Sequence, residues 1–189
     1  MSTPLSDVLG LIESAPRRHP FLLMGIGGHG GAGKSTLARA VARAGAEAGA
    51  ENGPVVQIVA TDSFWSGTQF DLSRLRHQVL DELLAGVRAS YEQWDWSAAQ
   101  MAGTRIIEPT GVVIVEGVCA LHQMFRDDLD VRIWVDAPYD DRLARAVARD
   151  GEHKRSTWTD VWMPSEDNYV ARDKPQACAH LIVDGTKPL

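Results

Sequence analysis

The period of the hydrophobic positions changes several times along the chain, and each change predicts an element. Leu5 to Ser14 predicts a short helix ended by Pro16. Phe21 to Ile26 is a brief apolar run stopped by glycine, which reads as a buried strand. From Lys34 to Ala50 the pattern is helical, with Leu37, Val41, Ala44 and Ala48 on one face and Arg39, Arg43 and Glu47 on another. Asn52-Gly53-Pro54 is its stop signal, and Val55 to Ala60 is the next strand. Asp71 to Val87 reads as a helix through Leu72, Leu75, Val79, Leu83 and Leu84. A Trp-rich stretch, Tyr91 to Met101, follows without an assigned element, and a short strand is expected at Thr104 to Glu108.

Val112 to Val115 is a continuous β-branched run, as expected of a strand covered on both faces, and Val131 to Val135 is another. Pro138 stands at an expected first helical position, with Asp140 and Asp141 in the first turn and Gly151 just past the end. Trp158 to Val170 is helical but interrupted at Pro164, with Ser165 as the new cap, and Leu181 to Val183 closes the series as a strand. Strands alternating with helices imply right-handed crossovers and a parallel sheet with helices on both sides. The fold class is α/β.

Composition narrows the function. The chain has 189 residues, 44% hydrophobic and 23% charged, the make-up of one folded globular domain. Its net charge of -6 argues against holding polyanions by bulk charge, so no nucleic-acid partner is expected and any phosphate must be bound locally. The longest uncharged stretch, His19 to Gly33, is too short and too glycine-rich to cross a bilayer, and no membrane partner is expected. Only two cysteines occur, Cys119 and Cys178, which points to a reducing cytoplasm rather than a disulfide framework.

The strongest chemical signal is Gly28-His29-Gly30-Gly31-Ala32-Gly33-Lys34-Ser35, a full GxxxxGK[ST] pattern between a predicted strand and a predicted helix. Glycine lets the backbone turn its N–H groups inward around phosphates, and several such turns need positive φ. The following helix adds its positive dipole end and its unpaired amides to the same anion. Lys34 is expected to reach the β- and γ-phosphates, and the Ser35 hydroxyl to ligate Mg²⁺. Thr36 supports the first helical turn, while His29 has no assigned role beyond an exposed place in the loop. Missing motifs narrow the class further. There is no Asn-Lys-x-Asp base reader, no Leu-Ser-Gly-Gly signature, and Val112 to Val115 ends in a single carboxylate, Glu116, rather than an acidic pair.

Further segments carry a resemblance. Gly25-Ile26-Gly27-Gly28, Asp62-Ser63-Phe64-Trp65, Trp94-Asp95-Trp96, Val115-Glu116-Gly117 and Arg142-Leu143-Ala144-Arg145 through Arg149-Asp150 occur in the order seen in uridine kinases. From about Met24 to Gly185 the chain resembles that family, which groups with phosphoribulokinase and pantothenate kinase. The resemblance implies a three-layer P-loop NTPase fold, a five-stranded parallel sheet flanked by helices, and one domain over 1–189 with a small lid at about 150–157. It implies ATP and Mg²⁺ as cofactors and a small-molecule hydroxyl as acceptor. Asp62 looks like the family's carboxylate that faces the acceptor hydroxyl, where a general base must reach the proton it takes. Glu116 ends the central strand at its carboxyl edge, where it would hold a Mg²⁺ water or orient substrate. Arg142, Arg145 and Arg149 are spaced to share one helix face. In the family that helix leads into a lid whose arginines approach the ATP phosphates, with Arg142 on the nucleotide and Arg145 and Arg149 on the transferring group.

The resemblance thins at the acceptor. Uridine kinases carry an Asp-His-Pro-Asp segment where this chain has only Ser66-Gly67-Thr68-Gln69, and their next histidine falls near Ala98 or Ala99. A site that loses such groups loses the discrimination they give, so uridine itself is not the expected acceptor. Trp65, Phe70 and Trp94 remain as pocket walls, whereas Trp96, Trp158 and Trp162 are expected to pack. A kinase of a small-molecule hydroxyl is the favoured reading, and a homodimer is an open expectation. A nucleotide-binding sensor or switch, and a plain ATPase without an acceptor, stay open beside it.

Overall fold

The structure is a computed structural model that describes residues 3–48 and 55–189. The first helix, α1 (Pro4–Ser14), starts one residue before the predicted one because Thr3 caps it: the Thr3 hydroxyl accepts from the Ser6 N–H, and the Ser6 side chain answers the Thr3 amide. Strand β1 (Leu22–Gly28) is wholly buried and runs two residues further than its apolar run, into the glycines. It does so because β6 pairs with it to the end, Gly27 opposite Trp134 and Gly28 opposite Val135. Helix α2 (Lys34–Ala48) follows, and its predicted stop at Asn52-Gly53-Pro54 lies outside the described residues.

β2 (Val56–Ala60) leads into a 3₁₀ turn at Thr61–Phe64. The predicted helix through Leu72 is α3, which covers Leu72–Leu75, widens to a π-turn at Arg76–Leu80 and closes over Asp81–Leu84. The Trp-rich stretch proves to be half of a hairpin. β3 (Ala89–Asp95) pairs antiparallel with β4 (Gln100–Ile107), which is longer than the expected Thr104–Glu108 strand. Ala89 and Tyr91 point inward while Ser90 and Glu92 face solvent, the alternation of a half-covered strand.

β5 (Val112–Glu116) and β6 (Val131–Asp136) fall where predicted, and α4 (Tyr139–Asp150) starts one residue after Pro138. Gly151 closes α4 with φ +96°, its N–H donating to the Val147 carbonyl at 2.8 Å. After a 3₁₀ turn at Glu152–Lys154, α5 begins at Arg155–Thr157, passes through a π-turn at Trp158–Trp162 and continues as Met163–Asp173. The predicted interruption at Pro164 is therefore not a break, and Ser165 caps nothing. The π-turn shifts the hydrogen-bond ladder just before Pro164, so the missing N–H and the ring fall at a new first turn. β7 (Leu181–Asp184) is the last strand.

The sheet is five-stranded and parallel, in the order β2-β5-β1-β6-β7, with the β3–β4 hairpin standing apart. One face packs α1 and α2 through Val8, Ile12, Leu37 and Val41 against Leu22, Met24 and Ile133. The other packs Phe64, Leu75, Val79 and Leu83, with Tyr91 of the hairpin, against Leu23, Val113 and Val115. This is the three-layer P-loop fold. The chain leaves β1 toward β2 and β6 toward β7, on opposite sides, which opens a crevice at the carboxyl ends of the strands. Among the described residues no helix is long and apolar enough to cross a membrane.

Candidate active site

The loop between β1 and α2 lies at that crevice. Gly28 has φ +148° and Gly31 φ +74°, and a Cβ on either would collide with a carbonyl oxygen, that of Val135 or Arg142. Only glycine fits these positions. The loop closes on itself through Ala32 N–H to the His29 carbonyl at 3.2 Å, and the Thr36 and Leu37 amides donate to the Gly33 carbonyl. Thr36 thus takes its expected place in the first turn of α2.

Lys34 is 8% exposed, and its Nζ donates to the His29 carbonyl at 2.8 Å. Burial pulls its pKa down, and the nearby Glu116, Asp62 and Glu166 carboxylates oppose that pull. The Ser35 hydroxyl lies 3.1 and 3.2 Å from the two oxygens of Glu116, so the end of β5 and the start of α2 share one hydroxyl–carboxylate contact. Burial pushes the Glu116 carboxyl up, against the pull of Lys34. A hydroxyl and a carboxylate are the hard oxygen donors that Mg²⁺ takes when substrate phosphates and water fill its other positions. Among the described residues no group of three or more His, Cys, Asp or Glu could hold a metal by itself.

Asp62 stands on the 3₁₀ turn after β2, exposed, at the same end of the sheet as Glu116. Its charge is felt at Lys34, Glu116 and Cys119, so it faces the same cleft. Cys119 follows β5, and burial pushes its thiol up to about 12, which leaves it a poor nucleophile near neutrality.

The three arginines of α4 divide. Arg142 is buried, lies over the Tyr139 ring at 5.6 Å, and has Nε and Nη1 without a hydrogen-bond partner. Arg145 donates to the Gly31 carbonyl at 3.3 Å and the Gly185 carbonyl at 3.1 Å, so it touches the loop from outside. Arg149 pairs with Asp150 at 2.7 Å and lies over the Trp158 ring, one residue group away from the loop itself.

His29 corrects the sequence expectation, because it is buried rather than exposed. It meets Trp134 edge-on at 5.4 Å, and its Nε2 is 3.3 Å from Asp167 of α5. Burial, then Arg142, lowers its pKa. Sequence reasoning also missed Glu166 and the placement of Trp158. Glu166 is buried and accepts the Gly30 N–H at 2.9 Å, and the Trp158 ring lies against Gly30. No spacing marks a contact across 136 positions of chain, and only the unexplained acidic pair after Pro164 could have hinted at it.

At the hairpin, Trp65 stacks on Trp96 at 5.4 Å and meets Phe70 edge-on at 5.1 Å, with Trp65 and Phe70 joined by a bridge of the backbone. Trp94 lies beside Gly67. Trp96, expected in the core, is 50% exposed, because it follows the last residue of β3 and turns with the hairpin tip. Trp158 and Trp162 do pack, at 4.7 Å.

Comparison with known proteins agrees with this arrangement. Residues 24–172 match the family described as AAA domain. A uridine kinase of Halobacterium salinarum is 27% identical over 175 residues, covering 82% of this chain and 72% of that one. A uridine kinase of Staphylococcus epidermidis is 28% identical over 181 residues, with 82% and 84% covered. A solved structure described as a possible uridine kinase from Bacillus stearothermophilus superposes with TM-score 0.72 at 18% identity, covering 96% of this chain and 97% of that one, which is a likeness of fold. With its phosphate loop and five-stranded parallel sheet, the chain belongs to the AAA domain family and is similar to uridine kinases.

Proposed function

We propose that this P-loop kinase uses ATP and Mg²⁺ to phosphorylate a hydroxyl of a small molecule, with residues 1–189 working as one domain and 150–157 as the tip of a lid. The observation that carries the reading is the convergence of Lys34, the Ser35–Glu116 contact and Asp62 on one end of the sheet. Lys34 and the amides of residues 28–36 would hold the β- and γ-phosphates, and Arg142 would turn its unpartnered N–H groups to the nucleotide. Ser35 and Glu116 would hold Mg²⁺, which would neutralise phosphate charge when bound.

Asp62 takes the proton of the acceptor hydroxyl as its oxygen bonds to the γ-phosphorus and the bond to the ADP oxygen breaks. Arg145, which reaches the loop at Gly31, and Arg149, once released from Asp150, would neutralise charge on the transferring group. Trp65, Phe70 and Trp94 offer flat apolar walls to the acceptor, and the segment Ser66–Gln69 brings no carboxylate or histidine to grip a ribose. The acceptor is therefore a metabolite with an exposed hydroxyl and an apolar or planar body, and not uridine. A plain ATPase is the second reading. The single carboxylate at the end of β5 and the aromatic walls favour a kinase over it.

Purified protein with ATP, Mg²⁺ and a panel of nucleosides, pantothenate-like compounds and sugar phosphates tests the proposal. ATP consumption should depend on the acceptor, and Asp62→Asn should lower that turnover ~10²–10⁴-fold while ATP still binds. Full turnover in Asp62→Asn would remove the base assignment, and ATP consumption indifferent to every acceptor would favour the ATPase.

A further inference from the structure

We infer that Glu166 is a resident of the phosphate site, a carboxylate that occupies the Gly30 amide until nucleotide displaces it and that thereby sets nucleotide affinity. The inference rests on reading residues 28–35 as a nucleotide-phosphate loop. Three groups suited to an anion converge on this one carboxylate. The Gly30 N–H donates to its Oε2 at 2.9 Å, and the Arg142 Nη1 stands 4.0 Å from the same oxygen. Lys34 is close enough for the two charges to feel one another. The Gly30 N–H is satisfied by it, but the two cations are not. At 4.0 Å the Arg142 contact is no hydrogen bond, and both Nε and Nη1 remain buried without a partner. Lys34 meanwhile spends its ammonium on the His29 carbonyl.

A buried guanidinium with open N–H groups is costly, and a phosphate relieves it where a carboxylate held by a rigid helix does not. Phosphate carries more acceptor oxygens and more charge, and it arrives free to fit. The space is also taken: a Cβ built on Gly30 would lie 2.7 Å from Glu166 Oε1 and 2.6 Å from the Trp158 ring. Both side chains sit on α5, so a phosphate that reaches Gly30 must move that helix or swing Glu166 aside. The apparent dissociation constant then equals the intrinsic one divided by the fraction of molecules whose loop is free of Glu166.

Titration calorimetry with ATP and Mg²⁺ on wild type, Glu166→Gln and Glu166→Ala decides the matter. The glutamine keeps the shape and an oxygen for the Gly30 N–H but removes the charge, and the alanine removes both. Binding should tighten about tenfold in Glu166→Ala, with Glu166→Gln between it and wild type. A carboxylate that merely braces the loop would have the opposite sign, since its loss would weaken binding. Unchanged or weaker binding in Glu166→Gln, with wild type binding ATP, overturns the inference and leaves the nucleotide reading standing. If Glu166→Ala does not fold, the glutamine variant alone decides. No binding by any of the proteins overturns the reading of the loop and this inference with it.

Discussion

The two ends of the cleft are built from different materials. At the proposed phosphate end the cleft surface is main chain, fixed by glycines that no other residue can replace and buried beneath α4 and α5. At the proposed acceptor end it is side chain, aromatic, partly exposed and carried on a turn and a hairpin outside the main sheet. Main chain recognises what every nucleotide shares, the phosphate tail. Side chains on a separate hairpin can change without disturbing the sheet, so substrate choice can drift while the chemistry stays.

The largest effect should come from the phosphate end. Lys34→Ala is expected to lower kcat ~10²–10³-fold, the cost of losing one charge from a preorganised site, while the acceptor binds as before. Steady-state kinetics with separate acceptor titration reads both. A loss of acceptor affinity in that variant would show that the two ends are not independent.

Glu116→Gln probes the seam between them and should lower Mg²⁺-dependent turnover ~10- to 100-fold. Its stability effect has the opposite sign. Burial raises the folded-state pKa of Glu116, so its contribution to stability is present below the unfolded glutamate pKa and is lost as pH rises through the folded value. Removing the charge should therefore raise the thermal midpoint at neutral pH, and the gain should vanish in acid.

The smallest effect belongs to the aromatic walls. Trp65→Ala should raise the acceptor KM ~2- to 10-fold, the worth of one aromatic contact, and leave the ATP dissociation constant alone. An unchanged acceptor KM would mean that the Trp65–Trp96 stack is packing and that the acceptor sits elsewhere.

How much of this was legible in the sequence follows the same division. The phosphate loop, the buried strands and α4 were readable because their signals are local: glycine spacing, a β-branched run, a proline before acidic residues. The β3–β4 hairpin was not, since its aromatic composition obscured the alternation of Ala89, Ser90, Tyr91 and Glu92. Pro164 misled because a π-turn has no sequence mark, and the wide turn at Trp158–Trp162 absorbs what a proline ordinarily costs. The burial of His29 and the reach of Glu166 to Gly30 were invisible for a different reason. Both depend on α5 folding back over the loop, a pairing of distant segments that no local period encodes.

The placement of Trp158 has a practical outcome. Its indole lies on Gly30, its Nε1 donates to Asp150 at 3.0 Å and Arg149 covers its face. An indole so enclosed is sensitive to any rearrangement beside it, so the molecule carries a native fluorophore against the proposed phosphate loop. Occupancy can be followed by emission in unlabelled protein, with Trp158→Phe as the blank.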